Sequence, residues 1–176
     1  TALAAGEQRG AIDLGIGKVM HSMMASYPDR SEGHQMTPPL TIMVNRPIAR
    51  FAAWYEFFPR SQSNLPYRHG TLQDSIRRLH DIKAMGFDVV YLPPIHPIGH
   101  SFRKGKNNSL KPAPRDPGSV YAIGSPDGGH DALHPELGTF EDFDAFVAEA
   151  ARLGMEVAMD IALQCSPDHP YVATHP

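Results

Sequence analysis

The sequence predicts an α/β protein: an incomplete (β/α)8 TIM barrel, about its first three strands, preceded by a helical segment and a linker. Three observations predict it. Two segments follow the same plan, a Thr-capped amphipathic helix closed by glycine and then an apolar strand, at Gly70 to Leu92 and at Gly138 to Leu163. Both helices enter their strands through short turns, the alternation of a parallel sheet. The strand-to-helix connections are long instead, the second running from about Pro93 to Gly138. They all fall at the carboxyl ends of the strands, an asymmetry that favours a barrel over an evenly looped open sheet.

Residues 1–40 read as a helical segment and a Pro-containing linker from a preceding domain. Ile12, Ile16, Val19, Met20 and Met23 fall on one face of a helix from about Ala11 to Ser26, stopped by Pro28. Glycines at 10, 15 and 17 weaken it, and the Met-bearing face is expected to pack on a neighbouring domain. Tyr27 to Leu40 is polar and proline-containing, hence linker.

Residues 41–176 read as the barrel part. Thr41 to Val44 suggests an edge strand or an extended approach, and Phe51 to Phe58 a buried strand interrupted only by Glu56. In the repeated segments, Thr71 with Asp74 and Thr139 with Asp142 have the spacing of capping boxes, and Gly86 and Gly154 suit the left-handed position after a helix. The expected apolar faces are Leu72, Ile76, Leu79, Ile82 and Met85, then Phe140, Phe143, Val147, Ala150 and Leu153. The strands that follow run from Phe87 to Leu92 and from Glu156 to Leu163. A complete barrel takes about 250 residues. Such a piece leaves strand edges unpaired, so by itself it is expected to melt without a sharp cooperative transition, which circular dichroism checks.

Composition excludes several classes. With 41% hydrophobic and 20% charged residues the chain reads as a globular protein, and no apolar run approaches the ~18 residues of a membrane span. No signal peptide is visible at the N-terminus. A net charge of −3 with interspersed signs offers no nucleic-acid surface. The single cysteine, Cys165, fits a reducing compartment. Ten histidines occur without a metal-ligand spacing such as HExxH, so no metal is expected.

Four polar groups gather at the strand ends. Arg103, Lys104 and Lys106 stand among glycine and asparagines, suiting a phosphate or sugar hydroxyls, or a solvated loop. Asp160 and Gln164 share a strand face by parity, with Asp168 beyond, and Asp160 also reads as a structural carboxylate. Tyr121 can stack on a sugar ring or pack its loop. His130 and His134 have the spacing of a metal pair, but the neighbouring glycines and Pro135 favour loop hydrogen bonding. No pair of acids suited to glycoside chemistry stands out.

These motifs carry a resemblance. The stretches GTLQDSIRRLHDIKAMGFDVVYLPPI and YAIGSPDGGHDALHPELGTFEDF, with the strand that opens on Asp160, resemble the start of the α-amylase superfamily, glycoside hydrolase family 13. WYEFFPRS, YLPPIHPIG, RKGKNN, DPGS and DIALQCSPDHP are similar, more narrowly, to the α-1,4-glucan:maltose-1-phosphate maltosyltransferases. The resemblance covers about Arg46 to Pro176.

It implies a retaining transglycosylase that moves a maltosyl unit from α-maltose 1-phosphate to an α-1,4-glucan, without cofactor. It also implies a cytoplasmic enzyme, homodimeric at full length. Lys104 and Gln164 match substrate-binding positions. Asp160 matches an aspartate that supports the site, and Tyr121 and Arg103 are further candidates for support. The nucleophile and general acid are expected beyond Pro176, so this piece alone is expected to be inactive. Gln164-Cys165 replaces the Asn-His usual in amylases, which removes a common calcium ligand and argues against plain starch hydrolysis. Another glycosidase or isomerase of the superfamily, or a non-catalytic carbohydrate-binding barrel, are the alternatives.

Overall fold

The structure, a computed structural model, describes residues 5–34 and 36–175. The chain divides into two compact units between Val44 and Asn45.

In the first unit, two helices replace the single one expected from Ala11 to Ser26: α1 (Ala5–Gly15) and α2 (Lys18–Ser26). Gly17 is extended (φ −67°, ψ 150°) and caps α2, so the glycines flanking Ile16 break the helix rather than merely weaken it. Ile12, Ile16, Val19 and Met23 are exposed. The expected strand at Thr41 to Val44 does not form. Its side chains are exposed, and no strand pairs with it to fix an extended backbone.

The second unit is built on a parallel sheet in the order β1 (Trp54–Glu56), β2 (Val89–Leu92), β3 (Glu156–Met159). Helices α3 (Leu72–Ala84) and α4 (Phe140–Arg152) make the crossovers. Both open on the expected capping boxes, Thr71 with Asp74 and Thr139 with Asp142. Both close before a glycine of positive φ, 91° at Gly86 and 69° at Gly154, where a Cβ would be strained. A short helix, α5 (Pro170–Thr174), follows the return from β3.

The strands are shorter than the apolar runs. Within Phe51 to Phe58 only Trp54–Glu56 joins the ladder, because β1 has a neighbour on one side alone, and Phe51 is exposed. β2 starts at Val89 rather than Phe87, since Asp88 accepts the Ala53 N–H through its side chain. β3 stops at Met159 rather than Leu163. The Asp160 N–H still reaches the Leu92 carbonyl (2.9 Å), but β2 ends at Pro93-Pro94, which has no N–H to offer a longer partner.

Register fixes the two faces of the sheet. Tyr55, Val90 and Val157 lie side by side and pack with Phe57 and Leu92 against α3 and α4. Leu72, Leu79 and Ile82 of α3 and Phe146 and Ala150 of α4 are fully buried there. Two expected core positions fall outside. Met85 follows the end of α3, and Phe140 opens α4 while its face is turned to solvent; Phe146 fills the core instead. The opposite face carries Trp54, Glu56, Tyr91 and Ala158 in alternation, with Asp160 next in line.

Candidate functional site at the carboxyl ends of the strands

The polar face of the sheet converges at its carboxyl end. Glu56 stands beside Tyr91 in the register, and Tyr91 beside Ala158, two residues before Asp160. The phenols of Tyr91 and Tyr121 both lie close enough to the Asp160 carboxylate to feel its charge. Desolvation pushes both phenols up, and the charges of Asp160 and Glu56 add to it. Both phenols therefore stay protonated at neutral pH beside the Asp160 carboxylate. Tyr121 is thus brought near Asp160. Local sequence does not mark Glu56 or Tyr91 as site positions, because only the parallel register sets them side by side.

Arg103 and Lys104 have opposite roles in one loop. The Arg103 guanidinium donates to the carbonyls of Gly99 (2.9 Å), Ile98 (3.0 Å) and Asp116 (3.2 Å). Its stem lies against Gly118, where φ is 76° and a Cβ would press on it. It staples the loop leaving β2 to the DPGS turn and has little left for a ligand. Lys104, half-buried, has no hydrogen-bond or ion-pair partner among the described residues. A fixed backbone presenting an unpaired ammonium suits an anionic or hydroxyl-rich ligand. Asn107 and Asn108 turn the chain back with φ of 53° and 63°.

Gln164 is exposed, on the segment that returns from β3. That segment is docked on the β2 loop by Asp168, which accepts from the His100 N–H, the Ser101 N–H and the Ser101 hydroxyl, each at 2.6 Å. The Ser101 hydroxyl, then its N–H, hold the Asp168 carboxyl down to about 2. A carboxyl depressed in the folded state contributes its stability in full above the unfolded value of about 3.9 and loses it as pH falls towards 2. In the full-length protein, Asp168→Asn is expected to lower the melting temperature at pH 7, with the gap to wild type closing between pH 4 and 2. A gap constant over that range contradicts the assignment.

The histidines pair differently from the spacing. His134 turns not to His130 but to His69, with ring centroids 5.4 Å apart, while His130 turns to His169. His69, His134 and Glu136 bring three possible ligand atoms within 4.8 Å of one another. His69 Nε2 and His134 Nδ1 are buried without partners. Burial, then His69, depresses the basicity of His134, and Arg103 adds to it. Arg60 lines the same small pocket, while Glu136 and Asp127 act on His134 in the opposite direction to Arg103. This group was invisible in the sequence because 65 positions separate the two rings.

Comparison with known proteins adds to the geometry. The chain is 56% identical, over 95% of its length, to the α-1,4-glucan:maltose-1-phosphate maltosyltransferase of Rhodospirillum rubrum. It is 62% identical over 77% of its length to that of Pseudomonas aeruginosa. These matches take in 24% and 20% of the relatives, so the chain spans about a quarter of the curated relatives' length or less. Among solved structures, an α-amylase from Lactobacillus plantarum is similar with a TM-score of 0.57 and 35% identity, over 71% of this chain and 26% of that one. A maltogenic α-amylase from Thermotoga neapolitana is similar with a TM-score of 0.55 and 32% identity, over 71% and 26%. No family model matches.

Proposed function

We propose, for a chain that belongs to the α-1,4-glucan:maltose-1-phosphate maltosyltransferase family of the α-amylase superfamily, that it supplies part of the donor site of a retaining maltosyltransferase. In the whole protein a carboxylate attacks the anomeric carbon of α-maltose 1-phosphate. The bond to the phosphate oxygen breaks, and a glutamic acid gives its proton to the departing phosphate. The 4-hydroxyl at the non-reducing end of an α-1,4-glucan then attacks the maltosyl-enzyme and returns a proton to the glutamate. Those carboxylates lie on later strands, so residues 1–176 alone do not turn over.

Within this chain Lys104 and Gln164 bind the donor, Asp160 and Tyr121 hold the floor of the site, and Arg103 holds the loop that carries Lys104. The observation that supports this most is the unpaired Lys104 ammonium on a loop whose backbone Arg103 pins. Among the described residues no helix is long and apolar enough to cross a membrane. We place the whole protein in the cytoplasm as a homodimer, which sedimentation of the full-length protein checks.

The test is phosphate release from α-maltose 1-phosphate by the full-length protein with a glucan acceptor. Release coupled to glucan lengthening supports the reading. Glucan cleavage that ignores the sugar phosphate favours a hydrolase, and saturable glucan binding without turnover favours a carbohydrate-binding barrel.

A further inference from the structure

The span that carries Gln164 is held in an unusual way. It is fixed at one end by the Asp160 N–H on the Leu92 carbonyl (2.9 Å) and at the other by the Ser166 N–H on the Ile123 carbonyl (2.7 Å). Between them, residues 161–165 make a single hydrogen bond among the described residues: His130 Nε2 to the Ala162 carbonyl, 2.7 Å. Ile161, Leu163 and Gln164 are exposed in this chain, so the bond to His130 is the contact that these 176 residues supply to the span.

The partners of His130 fix where the protons sit. A carbonyl only accepts, so His130 Nε2 carries hydrogen. In the neutral ring Nδ1 is then bare and accepts from His169 Nε2, 3.0 Å away. His169 Nε2 must therefore carry hydrogen, leaving its Nδ1 bare to accept the Tyr171 N–H at 3.0 Å. The three contacts allow one arrangement, with both rings neutral. A proton added at His130 Nδ1 would face the His169 N–H, and one added at His169 Nδ1 would face the Tyr171 N–H.

The seat of His169 is built for the ring. Gly129 and Gly124 lie against it, and a Cβ on either would overlap its side chain. The groups around it are His130 and Asp131 from the loop before α4, His96 from the loop after β2, and Tyr171 on α5. Loss of solvent, then His130, lowers the basicity of His169, while Asp131 opposes this. His96 is itself tied by Nδ1 to the Ala132 carbonyl (3.0 Å), and its ring lies 5.5 Å from that of His130.

We propose that His130 and His169 are positioning residues: a one-directional imidazole pair that fixes the Gln164 span when neutral and releases it when the His130 ring, whose Nε2 holds the span, is protonated. The consequence for donor use rests on the reading of Gln164 as a donor-site residue. The hydrogen-bond chain itself does not.

The experiment uses the full-length protein and the variants His130→Ala and His130→Gln. Glutamine can donate to the Ala162 carbonyl and accept from His169 without titrating. Amide hydrogen exchange, corrected for intrinsic rates, is read on a peptide covering 160–166 and on α3 as a control. Donor KM and kcat are followed from pH 5 to 8. In wild type, protection of 160–166 is expected to fall selectively towards the acid end of that range, with donor KM rising and kcat little changed. His130→Ala is expected to show that loss at pH 7.5, with donor KM up about 3- to 10-fold, the effect of one neutral hydrogen bond. His130→Gln is expected to restore both and flatten the acid rise.

Equal protection of 160–166 in wild type and His130→Ala at every pH overturns the proposal. So does a glutamine variant that retains the full acid loss. If the full-length protein does not use maltose 1-phosphate, the functional reading fails while the exchange measurement still decides the imidazole pair. If His130→Ala does not fold, the glutamine variant's pH profile decides it.

Discussion

Lys104→Ala in the full-length protein is expected to lower kcat/KM for α-maltose 1-phosphate by about 10- to 100-fold, the loss of one charge-assisted hydrogen bond in a site. Gln164→Ala is expected to cost about 3- to 10-fold, as suits a neutral donor. Folding should survive both changes. Lys104 has no protein partner among the described residues and the loop is held by its neighbour: Arg103 makes three bonds to carbonyls and Lys104 none. Steady-state kinetics at varied donor, beside a thermal melt, measures this. Wild-type efficiency in both variants refutes the donor-site assignment. Arg103→Ala should behave differently, lowering both activity and melting temperature, because three carbonyls lose their donor at once.

Phe146→Ala is expected to destabilise the full-length protein by about 3–5 kcal/mol, with a correspondingly lower denaturation midpoint. Phe146 is fully buried, its ring lies 6.3 Å from that of Phe57, and it sits in the cluster where α4 meets the inner face of the sheet. Phe140→Ala, six positions earlier on the same helix, should cost far less because that ring is exposed. Equal losses in the two variants, read by chemical denaturation, would contradict the placement of the core.

The contrast between these phenylalanines shows where sequence reading stopped. Both helices were legible, since their caps are local chemistry: Thr71 with Asp74 and Thr139 with Asp142 need only the spacing that the chain itself supplies. Which phenylalanine of α4 enters the core depends on how the helix is rotated against the sheet, and that is set by Phe57 and its neighbours. The strands were legible as apolar runs but not in length. β3 ends where Pro93-Pro94 withdraws its partner, a fact about another segment. The edge strand at Thr41 to Val44 does not form for a related reason, as no strand among the described residues pairs with it.

The candidate site divides in the same way. The sequence by itself determined the alternation of helix and strand, the long loops at one end of the sheet, and the resemblance through which Lys104 and Gln164 were singled out. Each of these rests on neighbours in the chain. Only the tertiary structure decided that Tyr91 and Tyr121 meet at Asp160, that Arg103 is a staple while Lys104 is unpaired, and that His130 answers to His169 rather than to His134. The Arg103–Asp116 and His130–His169 pairings cross 13 and 39 positions of sequence and are reached through returning loops. Their geometry is fixed by backbone contacts far from the residues that use it, so no local pattern could have carried it.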